Sequence, residues 1–146
     1  MQLSTHTDYS LRTLIYLALK ASERPVTVQE IARDYAISAN HVAKVAQTLS
    51  QLGYVKSLRG RGGGLVLAKA PATIRVGTLV RETENLKLLE CFGPSSSCPI
   101  DPGCKLKNVL KKAQKAFLAV LDEYTLEDMI KNDRELEKLL FRGKPA

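Results

Sequence analysis

Residues 27–67, TVQEIARDYAISANHVAKVAQTLSQLGYVKSLRGRGGGLVL, decide the fold. Thr27-Val28-Gln29-Glu30 has the form of a capping box, in which the hydroxyl and the carboxylate each satisfy a backbone donor at a helix start. The helix it opens is expected to run to about Tyr35, with Ile31 and Ala32 turned inward. Ala36-Ile37-Ser38 then makes a tight turn, and Ser38 caps a second helix. In that helix Val42, Val45, Ala46, Leu49 and Leu52 recur at helical spacing and form a buried face. Asn40, His41, Lys44, Gln47, Thr48 and Gln51 fall opposite, and Gly53 closes the helix as a C-terminal cap. Two short helices about a three-residue turn, the second presenting polar and basic groups outward, have the layout of a helix-turn-helix with a recognition helix.

Downstream, Tyr54–Leu58 and Leu65–Leu67 are two short strand-like runs around the Gly-rich tip Arg59-Gly60-Arg61-Gly62-Gly63-Gly64, and they read as a hairpin. A hairpin directly after a recognition helix is a wing. The glycines do not form a nucleotide loop, because they follow a helix, precede a strand and lack a following Lys-Ser/Thr. Glycines with two arginines suit a tip that enters a minor groove and touches phosphates. Candidate DNA contacts are therefore Ser38, Asn40, His41, Lys44 and Gln47 on the helix, with Arg59, Arg61 and Gly62 on the wing.

Upstream, residues 8–21 read as a helix with Leu11, Leu14, Ile15, Ala18 and Leu19 on one face and Thr7 or Asp8 as its cap. Arg24-Pro25 breaks it. Residues 71–85 read as a turn and a short helix with Ile74, Val76, Leu79 and Val80 apolar. From Lys105 to Tyr124 a stripe of Leu106, Val109, Leu110, Ala113, Ala116, Phe117, Val120, Leu121 and Tyr124 marks a helix about 30 Å long. Its stripe can be covered by the wing domain of its own chain or by the same helix of a second subunit. The second is favoured, because winged-helix readers commonly need two-fold symmetry to address palindromic sites. The expected organisation is mainly α with a small β-hairpin: a winged helix-turn-helix domain over 1–85, a loop over 86–104, a dimerisation helix region over 105–130 and a C-terminal tail over 131–146. The RGKPA end is expected to fray.

The 146 residues carry a net charge of +7, and its placement is informative. No Asp or Glu lies between Asp34 and Glu82, a stretch that holds Lys44, Lys56, Arg59, Arg61, Lys69, Arg75 and Arg81. A long acid-free basic segment is the electrostatic footprint of a polyanion binder. No apolar run approaches the length of a membrane span and no signal peptide is visible, so a cytoplasmic location with no membrane partner is expected. Paired carboxylates, a Ser-His-Asp set and an HExxH motif are all missing, and no enzymatic activity is expected.

Cys91, Cys98 and Cys104 are spaced C-x6-C-x5-C in a Pro/Gly/Ser loop. An odd number in a reducing compartment argues against disulfides. Structural zinc prefers close cysteine pairs and four ligands, and His6 and His41 are remote in sequence. Wide spacings suit an object larger than one ion, such as an iron–sulfur cluster. Zinc and a thiol redox switch remain as alternatives from the residues alone.

The Arg59–Gly64 wing, the Ile74-Arg75-Val76-Gly77 link and three cysteines followed by Lys105-Leu106-Lys107 together resemble the iron–sulfur winged-helix repressors of the NsrR/IscR family. The likeness runs from Thr7-Asp8-Tyr9-Ser10-Leu11-Arg12 to Tyr124-Thr125-Leu126. The first cysteine spacer is slightly longer than is common there. The resemblance implies a 2Fe-2S or 4Fe-4S cluster on Cys91, Cys98 and Cys104. Cluster-assembly regulators of this family use a histidine shortly after the third cysteine as fourth ligand. Here that place is Lys107, so the chain is more similar to the nitric-oxide-sensing NsrR branch. Asp8 matches the aspartate that in some NsrR proteins reaches the cluster from the other subunit. A homodimeric repressor on inverted-repeat double-stranded DNA, released when nitric oxide reacts with the cluster, is the implied function. A thiol-redox or iron-status regulator is the alternative within the class. An iron–sulfur electron carrier is the alternative outside it, and such a protein has no use for the basic helix and wing.

Overall fold

The computed structural model describes residues 1–21 and 24–142. Seven helices and one hairpin are formed among them: α1 (Thr5–Leu19), α2 (Val28–Tyr35), α3 (Ala39–Gln51), β1 (Val55–Leu58), β2 (Gly64–Leu67), α4 (Val76–Thr83), α5 (Lys105–Asp122), α6 (Leu126–Ile130) and α7 (Arg134–Leu140). Short 3-10 turns occupy 71–73, 90–92 and 101–103.

The helix-turn-helix forms as its sequence dictates. Thr27 Oγ1 accepts from the Glu30 N–H at 3.2 Å and Glu30 accepts from the Thr27 N–H at 2.8 Å, which completes the box. Ala36 takes the left-handed turn at φ 53°, and Ser38 caps α3. Gly53, at φ 81°, follows the Leu52 cap, and the Tyr54 N–H reaches back to the Leu49 carbonyl at 2.9 Å. That bond closes the helix in the αL-terminated pattern for which glycine is best suited. Val42, Val45, Ala46 and Leu49 are buried, while Leu52 is only half-buried. The hairpin is antiparallel with Val55 opposite Leu67 and Leu58 opposite Gly64. Its inner strand is tied to the chain before α2 by two bonds between Val26 and Leu65, at 3.0 and 2.7 Å.

α1 differs from the sequence reading in two ways. Neither Thr7 nor Asp8 is its cap: Ser4 is, accepting from the Thr7 N–H at 3.2 Å, so the helix starts three residues earlier. Its apolar face is also wider than one stripe. Tyr16 and Leu17 are buried with Leu14 and Ala18, together with Thr7, Ser10 and Thr13. Leu11, Ile15 and Leu19 are only half-buried. The cause is tertiary, since α3, α4, α6 and β2 all pack against this one helix.

The chain over 131–146, read as a tail, contains α7. Asp133 caps it by accepting from the Leu136 N–H at 2.8 Å. Phe141 beyond it meets the Tyr16 ring edge-on at 5.3 Å, and the Lys20 ammonium lies 4.0 Å above Phe141. Residues 143–146, within the end expected to fray, lie outside the described residues.

Candidate nucleic-acid interface and metal centre

α3 leaves Asn40, His41, Ala43, Lys44 and Gln47 exposed, because its buried face is spent on the core. Ser38 is exposed as well, although its Oγ is partly engaged by the His41 N–H at 3.5 Å. Arg59, Arg61 and Gly62 stand exposed on the wing tip, where Gly60 and Gly62 take positive φ values of 93° and 77°. The structure therefore brings the eight candidate DNA contacts to the surface on two adjacent elements. Lys56 and Ser57, on β1, are exposed between them.

The basic footprint divides once the chain is folded. Among the described residues Lys44, Lys56, Arg59 and Arg61 have no ion-pair partner. Arg75 and Arg81 do not join them. Arg81 grips Asp122 with both nitrogens, at 2.5 and 2.7 Å, and Arg75 donates to the Asp122 carbonyl at 2.9 Å. The Arg81 guanidinium holds the Asp122 carboxyl below the usual carboxylate range. Lys69 is also turned aside, its ammonium 4.4 Å above the Tyr54 ring. A stretch empty of acids in sequence receives its acid from α5, some forty residues on.

Two hollows flank α3. One, of about 370 Å³, lies toward the wing and is bordered by Thr27, Gln29, Asn40, Ala43 and Ser57. The other, of about 290 Å³, lies toward α1 and is bordered by Thr5, His6, Tyr9, His41, Lys44 and Val45. Gln29, Ser57, His6 and Tyr9 escaped the sequence reading. Gln29 was hidden inside a capping box. His6 and Tyr9 share a helix face only if Ser4 is seen as the start of α1.

Of the candidate ligands, Cys91 and Cys104 are half-buried and Cys98 is exposed. Among the described residues no three His, Cys, Asp or Glu side chains converge as they would on a metal ion. Cys104 is the N-cap of α5, its Sγ accepting from the Lys107 N–H at 3.4 Å. Lys107 is ion-paired to Asp101. That bond, with smaller contributions from Cys91 and Cys104, raises its pKa, so the ammonium persists and cannot ligate. Asp8 is paired to Arg12 through two contacts of 2.9 Å. The donor chemistry fits an iron–sulfur group: three thiols lie on one loop of 3-10 turns and extended backbone.

Comparison with known proteins agrees with this architecture. A family model described as Rrf2, iron-dependent transcriptional regulator, matches residues 3–132. The HTH-type transcriptional regulator NsrR of Bacillus licheniformis is 50% identical over 96% of this chain and 99% of its own length. NsrR of Bacillus subtilis is 48% identical over 96% and 97%. Among solved structures, IscR of T. potens superposes with a TM-score of 0.75 at 31% identity, covering 94% of this chain and 91% of its own. None of these relatives is an enzyme by name. With the winged helix-turn-helix fold, they place this chain in the Rrf2 family of transcriptional regulators.

Proposed function

We propose that the chain is a homodimeric repressor that grips inverted-repeat operator DNA. In this reading Cys91, Cys98 and Cys104 hold an iron–sulfur cluster, with Asp8 of the partner subunit as fourth ligand, and nitric oxide is the releasing signal. When bound, the group supplies iron with which nitric oxide reacts. The observation that carries the reading is the position of Cys104, which ends the cysteine loop and caps α5 at once. α5 exposes an apolar face on which Leu106, Val109 and Val120 keep 60, 61 and 55% of their surface open, and Tyr124, just beyond its end, keeps 45%. Leu118, on the opposite side, is buried, and α5 packs against α4.

These residues give the loop a mechanical route to the DNA face. Cys104 fixes the start of α5, and Asp122 fixes its end to α4 through Arg81 and Arg75. The fit at that end is close: a Cβ on Gly77 would lie 2.0 Å from Asp122 Oδ1 and 2.9 Å from its backbone nitrogen. A change at Cys104 is therefore passed to α4, and with it to the winged domain, as a tilt. Two recognition helices must sit about 34 Å apart to read successive major grooves. Misalignment by a few ångströms forfeits base contacts in one half-site, and a coupling of a few kcal/mol is enough to vacate an operator.

The test is an anaerobic gel shift of cluster-loaded, cluster-free and nitric-oxide-treated protein on one operator. Tight specific binding is expected only in the first state, with non-specific, salt-sensitive affinity retained in the others. Equal specific affinity in all three states would leave a DNA-binding protein without a sensor.

A further inference from the structure

The hollow between α1 and α3 is unusual in its lining. Thr5, His6 and Tyr9 come from the first turns of α1, and His41 and Lys44 from the first turns of α3. Every one of these side chains can donate a hydrogen bond, and no Asp or Glu borders the space. Val45 supplies the floor and is buried. The Tyr9 and His41 rings lie 6.1 Å apart at 48°, so the two walls are in register rather than separate surface patches. The carboxylate in the same turn of α1, Asp8, is matched by Arg12, whose guanidinium lies 5.7 Å from the Tyr9 ring centre. Lys44 brings positive charge to the border of the space, whereas the N-terminus of α1 is already met by the Glu84 carboxylate, which accepts from the Ser4 N–H at 2.6 Å.

The position of the hollow names its ligand. A duplex that receives α3 in its major groove carries one phosphate strand on each side of that helix. The wing and the Gln29 hollow stand on one side. On the other side the α1 hollow offers donors along α3. We propose that His6, Tyr9, His41 and Lys44 form a cradle for a DNA backbone phosphate, and that α1 is thereby part of the DNA-reading surface. This inference rests on the DNA-binding reading above and deepens it. It assigns His41 to the backbone and leaves Asn40, Ala43 and Gln47 for base edges. Phosphate contacts set register without sequence preference, so the cradle fixes how α3 enters the groove.

The test uses full-length, anaerobically purified protein on two duplexes, the operator and a scrambled one, at several salt concentrations. His6→Ala and Tyr9→Phe are each expected to weaken binding about tenfold, the typical loss for a hydrogen bond to a charged group. The loss should be the same factor on both duplexes. His6→Lys should restore binding and steepen the salt dependence by about one unit. Arg61→Ala serves as the control for the wider reading. If Arg61→Ala weakens binding while His6→Ala does not, the cradle is wrong and the DNA reading stands. If wild-type protein fails to retain either duplex, the DNA reading itself fails. Loss confined to the operator would make His6 a base reader, and equal loss in His6→Ala and His6→Lys would make it a packing residue. Either result overturns the cradle.

Discussion

Asp8 sits in the first turn of α1 with Arg12 one turn on, and the two exchange a bidentate contact on the surface. Surface pairs of this kind contribute less than about 1 kcal/mol, so Asp8 can leave Arg12 for another partner at little cost. Asp8→Ala is accordingly expected to shorten the lifetime of the bound cluster while shifting the thermal midpoint only slightly. A cluster lifetime equal to wild type would leave Asp8 an ion-pair residue alone. Serine at Cys91, Cys98 or Cys104 should abolish cluster absorbance and preserve helix content. Stoichiometric iron in any one of the three variants would remove that cysteine from the ligand set.

At the scale of the element, α2 depends on its capping box. Glu30 accepts from the Thr27 N–H and hydroxyl and is ion-paired to Arg24. The Arg24 contact is the largest cause of a carboxyl pKa lowered to about 2, with the Thr27 bonds adding to it against burial. A folded pKa below the unfolded value of 4.5 means stability that is present above about pH 4.5 and lost as pH falls toward 2. Glu30→Ala should therefore destabilise the protein by about 1 kcal/mol at pH 7, the usual worth of a cap. Denaturant midpoints of the two proteins should converge as pH approaches 2. A gap that stays constant across that range would mean the carboxylate is not what stabilises the helix start.

At the scale of the molecule, the bare side of α5 continues into an apolar groove bordered by Leu3, Leu86, Leu88, Leu89, Leu110 and Phe117. Together with the exposed Leu106, Val109, Val120 and Tyr124 it makes the kind of apolar surface that marks a protein–protein contact. Burying one such side chain fully is worth about 1.5–3 kcal/mol, so a single charge in the stripe should be decisive. Val109→Asp is expected to sediment as a monomer and to lose specific operator binding while keeping weak, salt-sensitive attraction to DNA. A Val109→Asp dimer with wild-type operator affinity would show that α5 is not the interface.

The sequence by itself determined the features that are local in the chain. The capping box at Thr27, the turn ending at Ser38, the Gly53 stop, the hairpin and the α5 stripe each depend on residues within a few positions of one another. Their physics is therefore present in the string, and the exposed Asn40, His41, Lys44, Gln47, Arg59 and Arg61 follow from it. The tertiary structure decided what depends on partners far along the chain. Arg75 and Arg81 looked like part of a DNA footprint until Asp122 folded back onto them. Ser4 became the cap of α1 with its own N–H bonded at 2.6 Å to Glu84, eighty residues away. His6 and Tyr9 met His41 only because α1 and α3 pack side by side. α7 was concealed because its short, highly charged run carries little periodic signal, and it is Phe141 packing on Tyr16 that holds it in place. In each case the deciding contact joins segments whose separation in sequence carries no information about their distance in space.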